Sequence, residues 1–578
     1  MSLLARFPRR DQERLKTVST SNAGAGATSS PAGPETAARP GDAPLPAPRP
    51  GLDLYDTTLR DGTQREGVTL SVEDKLRVAR RMDELGVAYV EGGWPGANPK
   101  DTEFFARAAD GELVLDHATL VAFGMTRGAN RAAEDDPLLR ALVDARTDVI
   151  CLVGKSWGYH VDEALVVPRA ENLAMVADSI RYLRSLGKRV FFDAEHFFDG
   201  FVRDQAYARE VVLTAAEAGA ECVVLCDTNG GAMPWDVTEI VHGFVGELSC
   251  DVGLHFHDDG GCAVANSLLG IEAGAVHVQG TANGLGERCG NANLFTILAD
   301  LQLKRGVPLV APAQLERLTE ISYTIAELCN QGTPAVAPYV GHTAFSHKAG
   351  LHASALAKAP DMYQHIDPDD VGNRQRLVVS ELAGRSNIVL KAREFGVEVD
   401  DDQARGVLAE VKRREAAGWT YEAADASFEL LLRRVAGLLR PEDEPFTSQH
   451  YRVSVAGGDA DALPGEGPAE AILAVEVAGI RKLGAGEGNG PVDALDRAFR
   501  NAVNGTWPQL DRVHLSDYKV RILEATAGTN ATTRVLVSST DGTDVWDTVG
   551  VHPNIVEASW LALSDAYTHA IMRPGWTG

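Results

Sequence analysis

Seven cysteines in 578 residues, an odd number scattered along the chain, are too few for a disulfide framework and point to reduced thiols and a cytoplasmic setting. Long apolar runs are missing too. No stretch approaches the length that crosses a bilayer, and the N-terminus has no apolar core of the secretory type. Positive charge is the third shortage: 55 Lys and Arg face 81 Asp and Glu, a formal net charge of −26. Such a surface repels nucleic acid and anionic membranes, so a site for an anionic substrate must supply its own cation. What remains is an ordinary globular composition, 44% hydrophobic and 24% charged. The chain is too long for a single core.

Residues 1–50 stand apart. The stretch SNAGAGATSSPAGPETAARPGDAPLPAPRP has few large apolar groups to offset its ordering entropy, and we expect a disordered tail. The Arg-rich opening also holds Asp11 and Glu13, which targeting peptides avoid. From 51 to about 310, short β-branched or aromatic runs (LDLYDTT, AYVEGG, TLVAFGM, DVICLVG, RVFFDAE, CVVLCDT, VGLHFHD, AVHVQGT) alternate with helical stretches. In SVEDKLRVARRMDELG, Leu76, Ala79, Met82 and Leu85 mark one face and Gly86 the end. Eight strand–helix repeats predict an α/β (β/α)8 barrel, ahead of an open doubly wound sheet. Cys222 and Cys226 read as core residues of one strand.

Residues 311–446 read as a helical linker subdomain, rich in histidine around AFSHKAGLHASALAKAPDMYQHIDPDD. Residues 447–578 read as an α+β domain of two βββα units, with Asp541-Gly542 as a hairpin turn in the second.

In a barrel of this kind the chemistry sits at the C-terminal ends of the strands. There the sequence places Arg60 and Asp61, Glu195, Asp227 with Thr228 and Asn229, then His255 and His257. Residues i and i+2 on a strand point the same way, so both imidazoles face the axis. With Asp61 they make two histidines and an acid, an open ligand set for a divalent metal. Asn291 or Asn293 could add an oxygen. Zn²⁺, Mn²⁺ and Mg²⁺ all stay open. The alternative for Arg60–Asp61 is a surface ion pair of small energy.

The motifs DTTLRDGTQ, LHFHDD, NGLGERCGN and AGLHASA together resemble the metal-dependent acyl-CoA condensing enzymes, the 2-isopropylmalate, homocitrate and citramalate synthases. The resemblance runs from 52 to 573. YVEGGWPGANPKD and HIDPDDVGNRQRLVVSELAGRSNI resemble the citramalate branch. It implies a Claisen-type condensation of acetyl-CoA with pyruvate, then thioester hydrolysis, in isoleucine biosynthesis. It further implies a metal held by Asp61, His255 and His257 with Asn291 nearby, and Arg60 on the developing alkoxide. Thr228 would bind the oxo-acid carboxylate and Glu195 would lie by the acetyl group. His352, with Tyr363 downstream, would help form the enolate, His347 competing for that role. Glu195 as a group in an interior hydrogen-bond network remains the alternative to a catalytic part.

The last domain resembles the family's allosteric, dimerising module, which implies a homodimer with isoleucine as effector. We expect the glycine-rich stretch GAGEGNGP, residues 484–491, to form a loop whose backbone N–H groups at a helix N-terminus hold an amino-acid carboxylate. Gly486, Gly488, Gly490 and, in the other half, Asn554 are the residues in question. Rival readings are the 2-isopropylmalate and homocitrate reactions, a metal-dependent acyl-CoA lyase with Cys289 on its loop, and an amino-acid sensor with an inactive barrel.

Overall fold

The computed structural model describes residues 51–573 apart from 333–334, 349–351, 353–354, 357–358, 360–361, 381–383, 456–468, 524–527 and 529. The expected tail, residues 1–50, lies outside the described residues.

Eight parallel strands close into a barrel: β1 (Asp53–Asp56), β2 (Tyr89–Gly93), β3 (Thr119–Met125), β4 (Val149–Lys155), β5 (Arg189–Glu195), β6 (Cys222–Asp227), β7 (Asp251–Phe256) and β8 (His277–Gly280). Closure is the β1–β8 ladder, Asp53 to His277 through Asp56 to Gly280. The outward-facing residues of the strands join the surrounding helices in one apolar core that includes Val90, Ile150, Phe192, Val223 and Leu254. Helix α1 (Val72–Leu85) shows how the local sequence does this. Ser71 and Asp74 form a reciprocal capping box at its start. Leu76, Ala79, Met82 and Leu85 are fully buried. Gly86 ends the helix in the left-handed region, φ 90°, as its position in the sequence predicts.

The barrel interior is layered with period two. Its lower part is an apolar plug of Tyr55, Tyr89, Val121, Phe123, Cys151, Phe191, Cys222, Val224 and Cys226, so both cysteines of β6 are core residues. One rung higher on the same strand faces stand polar groups: Glu91 above Tyr89, Asp193 above Phe191, Gln279 above His277. The barrel is a solid floor carrying a charged upper layer.

Beyond it, a short parallel pair joins Ser346–His347 to Arg376–Leu377, and three helices follow, α2 (Arg385–Glu394), α3 (Asp401–Ala416) and α4 (Asp425–Val435). Their core of Ile388, Val407, Phe428 and Leu432 continues into Val549 and Val551 of the last strand. Ser427 bridges the two regions, donating to Asp565 at 2.8 Å and accepting from the Val549 N–H at 3.0 Å.

The final domain holds two three-stranded antiparallel sheets, each followed by a helix. The first comprises β9 (Thr447–Val455), β10 (Ala469–Val477) and β11 (Ile480–Gly488), then α5 (Pro491–Val503). The second comprises β12 (His514–Ile522), β13 (Thr533–Thr540) and β14 (Val545–His552), then α6 (Ile555–Met572). Asp541 to Asp544 form the hairpin loop between β13 and β14.

One expectation needs correction. Most of the glycine-rich stretch is strand, not loop: Gly484, Gly486 and Gly488 lie in β11, paired with Leu473, Ala471 and Ala469 of β10. The physical reason is contact with α5. A Cβ on Gly486 would land on the backbone of Ala494 and Ala498. Gly550 of β14 stands in the same relation to Ala558 on α6. The glycines let each helix lie directly on its sheet. Gly486→Ala is therefore expected to cost about 1–3 kcal/mol of stability, read by chemical denaturation, with metal binding at the barrel unchanged.

Candidate active site and metal centre

Four residues from distant parts of the chain meet at the mouth of the barrel. Asp61 follows β1, His255 is the last residue but one of β7, His257 lies just past it, and Asn291 follows β8. His255 Nε2 is 3.1 Å and His257 Nε2 3.8 Å from Asp61 Oδ2. Asn291 Nδ2 donates to the same oxygen at 2.7 Å. One ligand atom from each of Asp61, His255 and His257 falls within a 4.8 Å cluster, and all three residues are buried.

The partners of His255 fix its tautomer. Gln279 Nε2 lies 3.0 Å from Asp193 Oδ1, and a carboxylate only accepts, so the amide nitrogen must face it. Gln279 Oε1 then faces His255 Nδ1 at 2.8 Å, and that nitrogen carries the proton. Once the ring is neutral, its lone pair is left on Nε2, toward Asp61, as a metal ligand requires; with no cation bound, burial opposes the charged ring but Asp61 and Asp193 outweigh it and raise its pKa.

Electrostatics point the same way. Arg60 Nε donates to Glu91 at 2.5 Å, and its other nitrogens lie 3.2 Å from Asp61 and 3.8 Å from Asp193. Its guanidinium stands 3.8 Å over the Phe123 ring. Three buried carboxylates thus surround one guanidinium, an excess of acidic over basic groups. Burial pushes Glu91 and Asp193 above the usual carboxylate range, against the pull of Arg60 and, for Asp193, of His255 as well. Burial also works to raise Asp61, but Arg60 and His255 outweigh it and hold that carboxyl low. Burial, reinforced by His255, lowers His257 to about 4, so its ring is neutral and free to ligate at neutral pH. The buried atoms Nδ1 of His257 and Oδ1 of Asn291 have no hydrogen-bond partner. A divalent cation fits this set: it offsets the excess of acidic groups and suits a mixed nitrogen and oxygen shell.

A cavity of about 320 Å³ opens above the cluster, lined by Arg60, Asp61, Trp94, Phe123, Lys155, Glu195, Thr228, His255 and His257 among others. Thr228 Oγ1 accepts from the His196 N–H at 2.9 Å. Glu195 forms an ion pair with Lys155 across β5 and β4. Gln64 and Glu287 stand on the rim.

Not every expected site residue reaches this cavity. His352 and Tyr363 stack on each other, ring centroids 4.1 Å apart, with His347 6.0 Å from His352. None of the three lines it. Gly486 and Gly488 lie in β11, Gly490 caps α5, and the Asn554 side chain caps α6 by accepting from the Val556 N–H. Conversely, Glu91, Asp193, Gln279 and Lys155 escaped the sequence reading. The available signal was parity: Asp193 sits two residues before Glu195, and Glu91 and Gln279 two after buried aromatic positions.

Family models match in three consecutive stretches: HMGL-like over residues 51–325, homocitrate synthase post-HMGL domain-like over 339–418, and LeuA allosteric (dimerisation) domain over 422–571. The (R)-citramalate synthase of Streptomyces coelicolor is 51% identical, over 90% of this chain and 97% of that protein. The chain belongs to the acyl-CoA condensing family of these synthases. The (R)-citramalate synthase of Aquifex aeolicus is 46% identical over 90% of this chain and 98% of its own length. A probable 2-isopropylmalate synthase of Methanopyrus kandleri is 32% identical over 84% of this chain and 92% of its own.

The tautomer argument makes Gln279 a sensitive position. Gln279→Leu is expected to weaken divalent-metal affinity roughly 10- to 100-fold, measured by competition with a chromophoric chelator, while the unfolding midpoint of the metal-free protein stays within a few degrees.

Proposed function

We propose that this chain catalyses the (R)-citramalate synthase reaction, in which acetyl-CoA, pyruvate and water give citramalate and CoA, as a step toward isoleucine. The observation that carries it is the buried Asp61, His255 and His257 cluster beside Arg60, in a chain whose relatives of that name are 51% and 46% identical over nine-tenths of its length. A divalent metal bound there supplies Lewis-acid polarisation of the oxo acid's ketone. The chain's own groups do the rest. Arg60 is held rigid by Glu91 and Phe123 and places a fixed positive charge beside the oxygen that becomes an alkoxide. The Thr228 hydroxyl, oriented by the His196 N–H, is positioned to donate to the oxo-acid carboxylate. The aromatic faces of Trp94 and Phe123, packed edge to face at 5.4 Å, narrow the cavity beside Arg60, which favours a methyl over a branched substituent. On the resemblance alone we assign His352, with Tyr363, a supporting part in enolate formation, beside the Glu195 carboxylate that lines the cavity.

The domains read as a catalytic barrel at 51–310, a linker subdomain at 311–446 and a regulatory module at 447–578. The module supports a homodimer: its sheets expose Ile472, Leu483, Val520 and Ile522. We propose isoleucine as effector. Beside the first turn of α5, close to Gly490, Val492, Val513, Leu515 and Tyr518 line a cavity of about 450 Å³, and an aliphatic side chain suits those walls. We place the protein in the cytoplasm. Its seven cysteines are all unpaired, and among the described residues no helix is long and apolar enough to cross a membrane.

A thiol-release assay with pyruvate, 2-oxoisovalerate and 2-oxoglutarate tests the assignment. Pyruvate is expected to give the highest kcat/KM, with turnover lost in EDTA and restored by divalent metal. Preference for a larger oxo acid would move the chain to a neighbouring reaction. In the same assay millimolar isoleucine is expected to lower the rate, and unchanged kinetics would remove it as effector.

A further inference from the structure

The cavity has two poles. In a closed barrel of eight strands, β4 and β5 lie across from β8 and β1. Asp61 and Arg60 follow β1, and the metal cluster occupies that side. On the far side Lys155 ends β4 and Glu195 ends β5, directly opposite each other in the ladder and joined as an ion pair. Both line the cavity.

This pair is built in. The Ser156 N–H and hydroxyl both donate to the Glu195 carbonyl oxygen, at 3.2 and 2.7 Å. Asn172 Nδ2 holds the Lys155 carbonyl oxygen at 2.9 Å. Ser156 and Asn172 are buried, so both strand ends are clamped from outside the cavity. Apart from Arg60, Lys155 is the one Lys or Arg among the lining residues. Arg60 is already engaged by Glu91, Asp61 and Asp193.

Condensation puts negative charge on two different oxygens. One belongs to the ketone and develops beside Arg60. The other belongs to the acetyl thioester and develops when the methyl group loses its proton. We propose that Lys155 is a further catalytic residue, whose ammonium donates to the thioester carbonyl oxygen and holds the charge that appears there. This rests on the condensation assigned above. In the step, a methyl C–H bond breaks and its electron pair becomes the enolate C=C bond. The carbonyl π pair moves to the oxygen beside Lys155, and the proton passes to the Glu195 carboxylate. The enolate carbon then attacks the ketone carbon: the pair on the thioester oxygen re-forms the carbonyl, the C=C pair becomes the C–C bond, and the ketone π pair moves to its oxygen. Throughout enolisation the ammonium faces one negative charge, first on Glu195 and then on the thioester oxygen, so it needs no rearrangement.

The test uses the full-length, metal-loaded protein with Lys155→Met, Lys155→Gln and Lys155→Arg. The Met and Gln variants are expected to lose ~100-fold or more in kcat at saturating acetyl-CoA and pyruvate. The pyruvate Kd, measured by calorimetry, should stay within about twofold, which also certifies the fold. The Arg variant, keeping a cation at that place, is expected to recover to within ~10-fold of the parent. Turnover of the Met and Gln variants within about threefold of the parent overturns the proposal, and so does a loss carried by weaker pyruvate binding. A parent protein that releases no thiol with any oxo acid overturns the condensation itself, and this proposal with it.

Discussion

Three buried carboxylates crowded around one guanidinium set the terms for the whole upper layer of the barrel. Asp61, Glu91 and Asp193 all lie within ion-pair range of Arg60. Without a further positive charge, burial penalises each of them. The fold brings the remedy to the same place: His255 and His257 add nitrogen ligands, Asn291 adds an amide, and Gln279 ties His255 to Asp193. Charge balance and ligand geometry thus ask for the same object, a doubly charged cation. Arg60 could not serve an anionic substrate in its absence, because the surrounding carboxylates would use up its charge.

This explains how a strongly acidic chain handles anions. Its positive potential is made locally, in a cavity whose floor is aromatic and whose walls are strand ends. The floor of Tyr55, Tyr89 and Phe191 keeps water out from below. The rung above it carries the charge. Lys155 and Glu195, on the opposite wall, form a second and electrically neutral pole. One cavity can in this way hold the negative charge first beside Lys155 and then beside Arg60, as the new bond joins the two carbon atoms.

Much of this was legible in the sequence because it is local. His255 and His257 share a face by strand parity alone. The eight strands announce themselves by β-branched runs, and Gly86 marks a helix end by its conformational freedom. The features that were not legible depend on pairings across long stretches of chain. Glu91 reads as one more residue of a buried strand until the barrel closes and sets it against Arg60 and Tyr55. Gln279 gains its meaning only from Asp193, 86 positions away. The glycines of 484–488 misled for a different reason: the same lack of a side chain serves a turn or a close helix contact, and only the position of α5 decides between them. His352 and Tyr363 stack on each other, but within this chain they do not line the cavity.

The most direct test of the central claim is the metal content of the purified protein and of its Asp61→Asn variant, set beside their unfolding midpoints with and without chelator. The account predicts one divalent ion per chain in the parent, a midpoint that falls when the ion is removed, and loss of both ion and chelator sensitivity in the variant. A parent protein that stays metal-free in excess divalent ion, yet turns over oxo acid in EDTA, would contradict it.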